Sequence, residues 1–191
     1  MKLVLATHNA HKVKEVAAIL EPMVSGLELL GYDGPEPIED GSSFLENSLI
    51  KARAAFKHTG VSSIADDSGL AVEIMGGSPG IFSARWSGDK DDEKNRNLVL
   101  AQLRDVPAGS RAASFVCTIS LVGESGEVSF TGVLPGHIAA EASGSNGFGY
   151  DPIFIPEGFE VSSADLEPEV KNSISHRSMA LSQLASYLRP Q

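Results

Sequence analysis

The sequence predicts an α/β protein built on a mixed, partly antiparallel sheet flanked by helices. Two observations carry this. β-rich runs alternate along the chain with stretches whose apolar residues recur at helical spacing. One pair of strands is joined by a turn, Gly123-Glu124-Ser125-Gly126, short enough to be a hairpin. The chain has 191 residues, 42% of them hydrophobic and 21% charged, which suffices for one compact domain with a substantial core.

The elements follow in order. Lys2 to Thr7 is a β-rich run. Asn9 to Leu20 carries Val13, Val16, Ala17 and Leu20 at helical spacing, with Asn9 as N-cap. Ser43 to Lys57 repeats that pattern through Leu45, Leu49, Ala52 and Phe56, and Gly60 punctuates its end. A short strand is expected at Ser63 to Asp66, with Gly69 permitting a turn after it. Asp91 to Leu103 reads as a helix, and Ala112 to Val122 and Val128 to Val133 as the hairpin strands. A last helix, about Ile174 to Leu188, buries Ala180, Leu181, Leu184 and Leu188. Only Ala140 to Gly147 resembles a linker, and it leads into a glycine-bracketed aromatic loop, so a single domain over residues 1–191 is expected.

Composition also excludes partners. A formal charge of -10 repels polyanions, so a nucleic-acid groove is not expected, although a local knot of cations or a metal can still hold a small phosphorylated ligand. No run is long enough to span a bilayer, and the apolar start is too short for a secretory signal. The single cysteine, Cys117, is read as a buried thiol in a reducing cytoplasm.

Four segments hold the chemistry-bearing residues. Thr7-His8-Asn9-Ala10-His11-Lys12 lies between the first strand and the first helix, where backbone N–H groups and a lysine can seat a phosphate; a capped helix with a solvated lysine fits the same residues. Asp66-Asp67-Ser68-Gly69 puts two adjacent carboxylates at a strand end. Their repulsion calls for a compensating cation, unless they are simply turn-forming aspartates. Alternation along an extended chain sends the two in different directions. On the second helix, Glu46 is either a second metal ligand or part of a solvated face, and Lys51 either reaches a phosphate or is solvated.

The third segment, Gly76 to Trp86, is a rigid Gly/Pro loop in which Arg85 meets a ligand or packs, and Trp86 is structural. The fourth combines Phe148-Gly149-Tyr150-Asp151 with Lys171, His176 and Arg177. Three basic groups at the mouth of the last helix oppose its dipole, so an electron-rich ligand explains them better than helix stability does; two exposed charges on a frayed end fit the same residues. Phe148 can stack on a purine and Arg177 can donate to a carbonyl.

Taken in order, these segments resemble the inosine triphosphate pyrophosphatase family, the XTP/dITP diphosphatases. The motifs are Thr7-x-Asn9-x-x-Lys12, Phe44-x-Glu46-Asn47 with Lys51, Ala65-Asp66-Asp67-Ser68-Gly69-Leu70, Gly77-x-Pro79-Gly80 with Ser83-Ala84-Arg85, Gly147-Phe148-Gly149-Tyr150-Asp151, and Lys171-x-x-x-Ser175-His176-Arg177. The resemblance implies an elongated sheet, two lobes with a central cleft, and a cytoplasmic homodimer. It implies Mg²⁺-dependent hydrolysis of the 6-oxo purine triphosphates ITP, dITP and XTP to the monophosphate and pyrophosphate, removing non-standard purines from the nucleotide pool.

It further implies that Asp67 holds the metal and accepts a proton, with Glu46 assisting the metal and Ser68 touching substrate. Thr7, His8, Asn9, Ala10, His11, Lys12 and Lys51 would hold the triphosphate. Phe148, Gly149, Tyr150, Asp151, Lys171, His176 and Arg177 would surround the base. One departure is His11, where the family often has glycine; it either donates to the triphosphate or points to solvent. The rivals are a related pyrophosphatase acting on pyrimidine or modified nucleotides and a non-catalytic nucleotide sensor.

Overall fold

A computed structural model describes residues 1–8 and 10–189, with the backbone alone for residues 10, 11 and 15. The cap and phosphate contact expected of Asn9 lie outside the described residues, as do the side chains of Ala10 and His11. The elements run β1 (Lys2–Leu5), α1 (Ala10–Met23), β2 (Glu28–Leu30), α2 (Phe44–Thr59), β3 (Ser63–Val72), α3 (Asp92–Gln102), β4 (Ala112–Gly123), β5 (Gly126–Ile138), β6 (Phe154–Pro156), α4 (Pro168–Ile174) and α5 (His176–Leu188). The strands form one six-stranded sheet in the order β2-β1-β3-β4-β5-β6. β1 pairs in parallel with β2 and β3, and β5 pairs antiparallel with β6, so the sheet is mixed as expected. Among the described residues no helix is long and apolar enough to cross a membrane.

The chain divides into two compact units, each assembled from separated segments. The first comprises Met1–Asp67, Cys117–Gly132 and Arg177–Gln191; the second comprises Ser68–Val116 and Val133–His176.

In the first unit the period of two in β1 sorts side chains onto two faces. Leu3 and Leu5 join Val16 and Leu20 of α1, Cys117 and Ile119 of β4, and Ala180, Leu181 and Leu184 of α5. Val4 points the other way, to Tyr32 and to Ala55 of α2. β3 repeats the alternation: Ile64 belongs to the α1/α5 side, while Ala65 packs with Ala52 of α2 and Val122. Cys117 is fully buried, and burial pushes its thiol up to about 12, so it is an inert core group. α2 is bounded by local chemistry. Ser43 accepts a hydrogen bond from the Glu46 amide, and Gly60 closes the helix in the left-handed region at φ 68°.

The second unit packs Val99 of α3 and nearby Leu103 against Leu70 and Val72 of β3, Phe115 of β4 and Phe154 of β6. Arg111, buried here, donates to the carbonyls of Leu103, Val106 and Ala139, and so clips the segment after α3 to the end of β5.

Three expectations need correction. The strand expected to stop at Asp66 continues to Val72. Gly69 therefore makes no turn; glycine is needed because a Cβ there would meet Ser83 Oγ and lie 2.5 Å from the Gly80 carbonyl oxygen. Gly69→Ala is expected to cost about 1–3 kcal/mol by overpacking, read as a lower melting temperature. An unchanged value would mean that the Gly80–Ser83 turn simply yields.

The expected last helix is two helices. Ser175, at ψ 148°, breaks the run between α4 and α5, so Lys171 sits in the last turn of α4, where the dipole favours a cation. Only His176 and Arg177 stand in a first turn. Ala140 to Gly147, the stretch resembling a linker, is tied down along its length. Ser143 Oγ donates to Asp165, the Ser145 and Asn146 amides donate to the Ala164 carbonyl, and Asn146 Nδ2 donates to the Leu166 carbonyl. β2 and β6, three residues each, are too short for periodicity to reveal.

Candidate active site

The alternation of β3 decides what the two adjacent aspartates do. Asp66 lies on the Ile64 side, among α1 and α5. Its Oδ1 pairs with Lys12 Nζ of α1, and its Oδ2 lies 3.6 Å from Arg177 of α5. The carboxylate is almost fully buried, which alone would favour protonation. Lys12 foremost, then Arg177 and Lys51, reverse this and hold it well below the usual carboxylate range. A small cavity beside it is lined by Leu5, Val16, Ile64, Ile119 and Leu181, together with Asp66 and Arg177. Asp66 Oδ2 and Arg177 Nε are buried without a hydrogen-bond partner among the described residues.

Asp67 lies on the opposite, Ala65 side, towards α2. Its Oδ2 accepts from Asn47 Nδ2 at 3.1 Å, and its Oδ1 is 3.8 Å from Lys51 Nζ. Asn47 and Lys51 are one helical turn apart and so share a face of α2. Burial raises the Asp67 pKa. Lys51 and the Asn47 hydrogen bond offset part of the rise, while Glu39 and Asp66 add to it. One carboxylate is thus a fixed anion held among cations, and its neighbour is a partly exposed base with raised proton affinity.

Glu39 is a residue the sequence reading missed. Its Oε2 is 3.2 Å from Lys51 Nζ, so Glu39 and Asp67 converge on one ammonium group from two sides. Two carboxylates meeting at a cation have the chemistry to hold a hard divalent ion. Among the described residues no group of three or more His, Cys, Asp or Glu side chains is arranged to hold a metal. Glu46, the other expected metal ligand, is exposed on α2; its Oε2 accepts from both the amide and the hydroxyl of Ser42, which lowers its pKa. Asn47 also steadies the segment carrying Glu39, since its Oδ1 accepts from the Gly41 amide at 3.0 Å.

The rest of the expected phosphate loop divides. Thr7 is half-buried just past β1, and Ser68 half-buried within β3. The His8 ring reaches the Gly34 carbonyl at 2.8 Å, lies 3.3 Å from Glu36 and stacks on Tyr32.

The second unit gathers the aromatic–basic group. Asp151 is buried; its Oδ2 accepts from the Phe148 amide at 2.9 Å and from Lys171 Nζ at 2.5 Å. Gly147 is required there, because its φ is +77° and a Cβ would collide with Asp151 Oδ2 and approach Lys171 Nζ at 2.6 Å. Lys171 Nζ stands 5.4 Å from the centroid of the Phe148 ring, which is 67% exposed. Tyr150 faces inward. Its hydroxyl donates to the Ser83 carbonyl, and burial, then the nearby Asp92, holds its pKa above the ordinary value. His176 stacks on Phe115 at 5.1 Å. Of the Gly/Pro loop, Trp86 packs against the core of the second unit and its Nε1 donates to Gln102, while the exposed Arg85 lies over Phe82.

Comparison with known proteins places this geometry. The family model described as the Ham1 family matches residues 3–187. The chain belongs to the Ham1 family. A protein of Leifsonia xyli named dITP/XTP pyrophosphatase is 53% identical over 191 residues, covering 99% of this chain and 96% of the relative. A Mycobacterium tuberculosis protein of the same name is 48% identical over 194 residues, covering 98% and 95%.

Among solved Ham1 structures, the protein from Coxiella burnetii superposes with a TM-score of 0.92 at 39% identity and covers 98% of each chain. The dITP/XTP pyrophosphatase from Mycobacterium abscessus gives a TM-score of 0.83 at 47% identity, covering 96% of this chain and 98% of that one. The resemblance read from six ordered motifs is therefore a family relationship over nearly the whole chain.

Proposed function

We propose that this Ham1 chain hydrolyses 6-oxo purine nucleoside triphosphates (ITP, dITP and XTP) to the monophosphate and pyrophosphate. The observation that carries the reading is the division of the aspartate pair. Asp66 holds Lys12 and Arg177 in place as cations for an anionic substrate, and Asp67 is a carboxylate of raised basicity facing Lys51. The names of the relatives, dITP/XTP pyrophosphatases, support the same substrates.

Lys12, Lys51 and the backbone of the Thr7–Lys12 segment take the triphosphate, and Ser68 touches it. Asp67 accepts the proton of the attacking water at the α-phosphorus. Asp67 and Glu46 would hold a magnesium ion, with Glu39 a further carboxylate beside Lys51. When bound, that ion supplies charge to offset the phosphates and a lowered pKa for water. Phe148 stacks on the base, while Lys171 and Arg177 present donors to its 6-oxo group and His176 completes the surround. Adenine offers a donor at that position, and each donor left unpaired costs about 1–3 kcal/mol, so two give a preference of about a hundredfold or more. A homodimer working in the cytoplasm accompanies this proposal, and sedimentation tests the dimer.

Incubation with ITP and Mg²⁺ is expected to yield IMP and pyrophosphate, with ATP cleaved at least about a hundredfold more slowly. IDP and phosphate as products would move the attack to another phosphorus. Equal rates on ITP and ATP would remove the donor argument, and binding without turnover would indicate a sensor.

A further inference from the structure

The exposed ring of Phe148 is flanked by two glycines in the left-handed region, Gly147 at φ +77° and Gly149 at φ +59°. Two-thirds of this phenylalanine is exposed, with Lys171 Nζ 5.4 Å from the ring centroid. The loop after it is tied down: Tyr150 is anchored to Ser83, and Asp151 accepts from the Phe148 amide while its own amide donates to the Phe148 carbonyl. Within this turn Gly149 is the residue with the widest choice of backbone torsions. A Cβ at Gly149 would meet nothing within 4 Å, so glycine is called for by the positive φ and not by a close contact.

Two side chains of α3, one turn apart, close on that residue. Asp92 Oδ2 accepts from the Gly149 amide at 2.8 Å, and Arg96 donates to the Gly149 carbonyl at 2.9 Å. The two bonds grip the peptide planes on either side of the Gly149 Cα and so fix both of its torsions. Both partners are charged, which makes each bond stronger than a neutral one. Asp92 stands in the first turn of its helix, where the dipole favours a carboxylate.

We propose that Asp92 and Arg96 are positioning residues for the nucleobase, locking Gly149 so that the Phe148 ring is held ready to stack. This rests on the purine triphosphate reading above. Neither residue touches the base; they remove the freedom that the glycine would otherwise give the platform. The cost of ordering Phe148 is then met on folding rather than on binding.

The test uses the full chain with Mg²⁺ and compares Asp92→Ala, Arg96→Ala and the double variant for ITP hydrolysis and for inhibition by inorganic tripolyphosphate, which has no base. Each single variant is expected to raise KM for ITP about tenfold with kcat within about twofold. The inhibition constant of tripolyphosphate should stay the same. The double variant should add little, because both bonds hold one residue. Asp92→Asn keeps an acceptor and should restore most of the affinity.

An unchanged KM in either alanine variant, equal weakening of tripolyphosphate, full additivity, or failure of Asp92→Asn to restore binding would each overturn the clamp. A wild-type protein active on ITP beside unaffected variants sinks the clamp alone. A wild type inert towards ITP sinks the substrate reading and the clamp with it.

Discussion

Asp67→Asn is expected to lower kcat on ITP by about 10²–10⁴-fold, the range lost when a positioned general base is removed. The substitution keeps the shape of the side chain and an oxygen that can still accept from Asn47 Nδ2, so the fold and the α2 contact should survive. What disappears is the charge facing Lys51 and the capacity to take a proton. Because that charge matters most once the attacking water develops charge of its own, KM should move far less than kcat.

The acid limb of the kcat/KM profile provides a second check. Burial raises the Asp67 pKa in the metal-free protein, and bound magnesium would lower it, so the acid limb should move to lower pH as Mg²⁺ is raised. The Asp67→Asn protein should lack this limb. Near-full turnover of Asp67→Asn at saturating Mg²⁺ would place the catalytic centre elsewhere.

Asp66→Asn is expected to act on stability. It strips the anion from between Lys12 and Arg177, and breaking a buried ion pair from one side costs about 3–5 kcal/mol because the partner charges remain. The Asp66 pKa is depressed in the folded state. Its contribution is therefore fully present above the unfolded value and is lost as pH falls towards the folded one. In urea denaturation the gap between wild type and Asp66→Asn should be widest near neutrality and should narrow below about pH 4. A gap constant with pH would mean that the loss is one of packing. Since Lys12 and Arg177 lose their common anchor, KM for ITP should also rise.

The two adjacent aspartates show how far local patterning reaches. That they point apart follows from strand geometry and is readable in the sequence, but local pattern puts them at a turn, because Gly69 reads as a conformational glycine. Its true reason, the close approach of Ser83 and Gly80, lies 11 to 14 residues further on and carries no local signal. Asn47 and Lys51 at a spacing of four were visible as one face of α2; that this face looks at Asp67 was not. Glu39, in irregular chain, has no periodicity to mark it, whereas Glu46 stands in a motif and its contact with Ser42 is local. Asp92 and Arg96 share a helical face in the same way, but their target, Gly149, is more than fifty residues away.

By itself the sequence determined the α/β class, the principal helices and the central strands, the hairpin, and the family through its ordered motifs, since these depend on periodicity and on residues near one another in the chain. Only the tertiary structure decided the partners: Lys12 and Arg177 for Asp66, Asn47 and Lys51 for Asp67, Lys171 for Asp151. An ion pair is made by whichever charges the packed helices bring within a few ångströms of one another, and no local pattern encodes that distance.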